Sequence, residues 1–227
     1  AIAAGAYLAL KPPSPEKLLA AVEAASSPDD KLAAATRYLE EYGERPGEPT
    51  DKAAAVFRGL KVRQRDQQLA NRFARGLAKP DESDDPDAYA LAWQALEAEK
   101  GGRLSEAEGL WARVRDRFPD EAKLPFTLKD DVLARARWGW LAEKRLADLK
   151  KARFQVVALR RQIAEKRDYE LEFPADPTDP EAVAVRAVRL EDFGDREKAA
   201  RVWDQLAAAT EKDPDRRDWY LIASQGR

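Results

Sequence analysis

A small turn, an Ala, an aromatic residue four positions later and a Pro twelve positions after the Ala recur along this chain. That spacing constrains the fold more than any other feature. It is complete at Gly102-Arg103-Leu104-Ser105-Glu106-Ala107, followed by Trp111, Val114 and Pro119. It returns at Gly194-Asp195-Arg196-Glu197-Lys198-Ala199 with Trp203 and Leu206, the closing Pro displaced to Pro214. A third copy has Asp29 in place of the turn Gly, then Ala34, Tyr38 and Pro46. A turn that ends one helix, a small residue that lets the next lie close and an aromatic that fills the gap are the parts of a stacked helix-turn-helix repeat. Such arrays bind other proteins and rarely catalyse. The pattern predicts Ala34, Ala107 and Ala199 at helix contacts beside Tyr38, Trp111 and Trp203.

Composition agrees with an all-α chain. In 227 residues, Ala, Leu, Arg, Lys and Glu dominate, and strand formers are few outside helical patterns. The chain has no His, Cys or Met. Thiolate metal sites and disulfides are thereby excluded, and so is the commonest neutral-pH general base. A chain that starts at Ala and holds no Met reads as a piece of a longer gene product. Chance carboxylate pairs such as Glu97 with Glu99 or Asp130 with Asp131 have no base partner or Gly-rich loop nearby. Gly101-Gly102 lacks the strand and Lys-Ser/Thr of a phosphate loop and is a turn, while Ser105 reads as a helix cap. No catalytic residue, cofactor or metal ligand is therefore assigned, and the chain itself is read as no enzyme.

Charge is balanced overall at -2 but unevenly placed, with 11 basic against 3 acidic residues between Arg135 and Arg167. From Lys129 to Tyr169 there is no Pro and only Gly139, so one long basic helix of up to about 60 Å is expected there. Leu149, Ala152, Val156, Leu159 and Ile163 form an apolar stripe at 3-4-3-4 spacing. It faces either the body of the domain or a second copy in a homodimer. The candidate interaction surface is the set Trp138, Trp140, Lys144, Arg145, Lys151, Arg160 and Arg161. Trp138 and Trp140 are two apart and cannot share one helix face, so one of them is expected outside. The cations either pair with acidic helices nearby or meet an acidic partner, whether a protein or peptide, a polyanionic wall polymer or a lipid headgroup. Nucleic acid is disfavoured, because the net charge is not basic and aromatic interleaving is sparse.

Ala1 to Leu10 is ten uncharged residues, about 15 Å as a helix and half of a bilayer span. It is either the outer end of a transmembrane helix, with Tyr7 and Lys11 at the interface, or a plain apolar terminus. Pro12 to Pro15 follows as a spacer. The expected division is residues 1–14 for that segment, 15–79 for one or more N-terminal helical pairs and 87–227 for a repeat, the long helix and a last repeat. Lys79 to Asp87 is read as an acidic solvated linker. Phe173 to Pro180 is a second linker, and Trp219 to Ile222 opens a capping helix.

Two resemblances add to this reading. The copies near Ala34, Ala107 and Ala199, with Ala70 as a degenerate member, resemble tetratricopeptide repeats. Relatives of that kind that clamp a peptide carboxylate use Asn, Lys and Arg on inner helices. Here those positions are Tyr89, Ala92, Leu96 and Glu99, so the clamp is not carried over. The segment Trp138 to Asp148, then Ile163-Ala164-Glu165, then Ala187 to Asp195, resembles a helical domain found beyond the membrane span of certain bacterial serine/threonine protein kinases. The apolar start followed by Pro12 to Leu18 is similar to the junction after that span. The resemblance implies a kinase domain earlier in the gene product, a membrane anchor ending near Leu10, and a sensory or protein-interaction role for this region in the cell envelope, outside the cytoplasm. The alternative is a free-standing scaffold or adaptor of an envelope complex.

Overall fold

Helix starts along this chain are written in one local device. Ser14-Pro15, Ser27-Pro28, Asp85-Pro86 and Asp179-Pro180 each place a capping side chain ahead of a Pro at the first helical position. In each, the Ser or Asp oxygen accepts a hydrogen bond from a backbone N–H of the first turn. Pro has the right φ and no N–H to waste there, and the cap satisfies a donor that the helix cannot. Asp213-Pro214 repeats the device at a 3-10 turn, residues Pro214–Arg216.

The computed structural model describes residues 13–81, 84–119, 128–165 and 178–227. Of these, 82% are helical and none is in a strand, so the chain is all-α. The helices are α1 (Pro15–Ala24), α2 (Pro28–Tyr42), α3 (Glu48–Ala74), α4 (Pro86–Lys100), α5 (Leu104–Arg117), α6 (Asp130–Glu165), α7 (Pro180–Asp192), α8 (Arg196–Thr210) and α9 (Arg217–Gly226). The expected long helix is α6. Its extension to Tyr169, the apolar segment before Pro12 and most of the second linker lie outside the described residues.

Two compact units interleave along the chain. Among the described residues, one comprises 13–68, 118–119 and 128–140, the other 69–81, 84–117, 141–165 and 178–227. The chain passes from one to the other inside α3, after Arg117 at the end of α5, and inside α6.

In the first unit, α1 and α2 form a hairpin that buries Leu18 and Val22 against Ala35, Tyr38 and Leu39. Ala35 is the fully buried small residue and Ala34 is half-buried, one position away from the expected contact. The buried face of α2 runs through Ala35, Tyr38, Leu39 and Tyr42, spacings of three and four that leave Ala34 at its edge. Tyr42 donates to the Pro13 carbonyl at 2.8 Å, which ties down the start of the hairpin. Trp138 and Trp140 are both buried, 1% and 4% exposed, so the expectation that one faces solvent is corrected. Each lies against a guanidinium from α3. Arg65 stands 4.1 Å from the Trp138 ring centre and Arg58 5.6 Å from that of Trp140. Between the two Trp residues, Gly139 is pressed onto the chain at Phe118, whose carbonyl oxygen lies 1.9 Å from where a Cβ would sit.

In the second unit, α4–α5 and α7–α8 are two hairpins in which several buried positions match at one constant offset. Gly102 matches Gly194, with φ of 70° and 80°. Ala95, Ala107, Trp111 and Val114 match Ala187, Ala199, Trp203 and Leu206, and all eight are buried. Helix α9 packs on α8 and also touches α4 and α7. The hairpins differ at their turns. A Cβ on Gly102 would stand 2.4 Å from the Ser224 carbonyl oxygen of α9, whereas one on Gly194 would meet open space. Gly194→Ala is therefore expected to cost roughly 1 kcal/mol, from the left-handed backbone alone. Gly102→Ala is expected to add about 1–3 kcal/mol of overpacking against α9. Urea denaturation of the two variants checks this, and equal losses would show that α9 does not bear on that turn.

Candidate functional site

The second unit is organised by where α6 sends its cations. Glu99, at the end of α4, is 1% exposed and accepts from Trp111 Nε1 at 2.7 Å. Its other oxygen takes Arg145 Nη1 of α6 at 3.3 Å and Arg217 Nη2 of α9. The Arg145 guanidinium also stands 5.6 Å from the Trp111 ring centre. The corresponding hairpin repeats the arrangement. Trp203 Nε1 donates to Glu191 at 2.8 Å, and the second Glu191 oxygen takes Arg160 Nη2 of α6 at 2.8 Å. One long helix thus reaches each Glu–Trp pair with an arginine. The first site is buried, and the second is partly open, with the Glu191 side chain 24% exposed.

The rest of the basic helix follows suit. Lys151 pairs with Asp218 of α9 at 2.8 Å, and Arg153 pairs with Glu108 of α5 at 2.6 Å. Lys144 pairs with Asp148 and Arg161 with Glu165, each one turn along α6 itself. All five cations of the expected surface, Lys144, Arg145, Lys151, Arg160 and Arg161, therefore have carboxylate partners. With Trp138 and Trp140 buried, these seven residues are not one exposed face. Four of the cations that marked α6 in the sequence, Arg145, Lys151, Arg153 and Arg160, are answered by acids on α4, α9, α5 and α7. The apolar stripe behaves in the same way: Leu149, Ala152 and Leu159 are buried, while Val156 and Ile163 are half-buried. Among the described residues, the large apolar side chains that α6 exposes are Phe154 and Val157, off that stripe.

A different surface stands open on the second hairpin. Between α7 and α8 lies a recess of about 300 Å³ with Leu190, Phe193 and Val202 among its lining. Arg186, Arg189, Lys198 and Arg201 surround it, with no carboxylate in the lining. Phe193 is 58% exposed at the end of α7. Lys198 donates to the capping residue Asp195 through its ammonium and its backbone N–H, which holds the Asp195 carboxyl below its usual range. Sequence reasoning passed over this recess because Arg186, Arg189, Lys198 and Arg201 are scattered among acids on two helices. The 3-4 spacing of Arg186, Arg189 and Phe193 is the signal that would have placed them on one face.

Among the described residues no group of His, Cys, Asp or Glu is arranged to hold a metal ion, and no helix is long and apolar enough to cross a membrane. Comparison with protein-family models, curated proteins and solved structures found no match.

Proposed function

We propose that this chain is a non-catalytic, tetratricopeptide-like interaction module, the extracytoplasmic sensory part of a membrane-anchored serine/threonine kinase. The observation that supports the repeat reading is the pair of corresponding hairpins, each with a turn Gly, a buried Ala and a Trp that donates to a Glu twelve residues before it. Such units gain stability by stacking and present extended side-chain surfaces to partners. The kinase context rests on the resemblance of the segments around Trp138 to Asp148 and Ala187 to Asp195, and on the apolar run before Lys11.

Protease treatment of intact bacterial spheroplasts carrying the full-length gene product tests this. The expected result is loss of an epitope placed after Arg227, survival of an epitope at the N-terminus of the whole product, and kinase activity in the protected fragment. A product released in soluble form without kinase activity would replace this reading with the free-standing adaptor.

A further inference from the structure

The two corresponding hairpins serve as a control for each other. Where the second carries Arg186, Arg189 and Lys198, the first carries Gln94, Glu97 and Glu106. Where the second carries Phe193 and Arg201, the first carries Gly101 and Gly109. The same turn Gly and the same buried Ala and Trp positions form in both, and the first hairpin does so with neither the cations nor an exposed Phe at those places. A cationic rim beside apolar side chains, added to a scaffold that folds without them, calls for a ligand. We propose that the recess between α7 and α8 docks an acidic peptide, which inserts one aromatic or branched aliphatic side chain between flanking carboxylates.

Charge and size select that occupant. Arg189 has no side-chain hydrogen bond or ion pair among the described residues and is available to a carboxylate. Lys198 pairs with the capping Asp195 and Arg201 with Glu197 of α8, and the two cations are themselves largely exposed. Exposed pairs of this kind contribute little and exchange readily for a ligand carboxylate. A recess of about 300 Å³ is at the small end of binding pockets and suits one large apolar side chain. Glu191, Asp192, Asp195 and Glu197 lie close along the same hairpin. They oppose a long polyanion or an anionic bilayer, which would need a continuous basic track, while leaving room for a short charged segment.

The proposal rests on the partner-binding half of the function proposed above and not on the kinase context. A peptide titration reads the recess and spheroplast proteolysis reads the anchor, so each can fail alone. The probes are three labelled synthetic pentapeptides, Glu-Glu-Phe-Glu-Glu, Glu-Glu-Ala-Glu-Glu and Lys-Lys-Phe-Lys-Lys, titrated into the whole chain by fluorescence anisotropy. The Phe-centred acidic peptide is expected to bind saturably, and the other two at least about tenfold more weakly, because anchor and charge are both needed. Arg189→Glu and Phe193→Ala should each lose about tenfold or more with an unchanged circular dichroism spectrum, and affinity should fall as salt rises. Unchanged affinity in both folded variants would overturn the proposal. So would equal binding of the Ala-centred peptide, absence of saturable peptide binding, or preferential binding of vesicles rich in anionic phospholipid.

Discussion

Glu99→Ala is expected to destabilise the second unit by about 3–5 kcal/mol, because it leaves two buried arginines facing a carboxylate that is no longer there. Arg145 is 1% exposed and Arg217 is 9% exposed, and Trp111 Nε1 loses its acceptor in the same variant. Glu99→Gln should fall between, since an amide oxygen still accepts from Trp111 but no longer balances the guanidinium charge. Glu191→Ala is the matched control. It breaks the corresponding bonds to Trp203 and Arg160, the latter half in solvent, and roughly 1–2 kcal/mol is expected, mostly from the buried Trp203 N–H. Midpoints of urea unfolding for the three variants decide the matter. Equal losses at Glu99 and Glu191 would mean that burial of the first cluster has no energetic weight.

The stripe of α6 provides the other large effect. Leu149→Ala and Leu159→Ala are each expected to cost about 2–5 kcal/mol, the range for emptying a buried leucine site. Phe154→Ser, at a position 75% exposed, should stay within about 0.5 kcal/mol. Sedimentation velocity on the same proteins separates core from seam. A stripe that seals the domain gives destabilised proteins of unchanged oligomeric state. A stripe that joins two copies gives stable proteins that dissociate.

The positions of the helices were readable in advance because their signals are local. The turn Gly ahead of Ala107 and Ala199 and apolar residues at spacings of three and four act within a few residues of each other, and α5 and α8 fall where they point, whereas the Asp-Pro starts of α4 and α7 lie at the ends of stretches read as linkers. Register within a helix was less secure. Ala34 and Ala35 both satisfy a small-residue pattern, and only the packing of α1 against α2 selected Ala35.

The use of the charges was not readable. Arg145, Arg160 and Lys151 look alike in sequence, as exposed cations on a basic helix. Yet Arg145 meets Glu99 46 residues away and Arg160 meets Glu191 31 residues away, and Glu99 also takes Arg217 from 118 residues further on. Trp138 and Trp140 likewise look as though one must face water, until α3 brings Arg65 and Arg58 over their rings. Helix propensity, caps and turns are properties of neighbouring residues and are written in the chain directly. Which carboxylate neutralises which guanidinium, and which face remains open to a partner, depends on contacts between distant segments, and these exist only once the helices have packed.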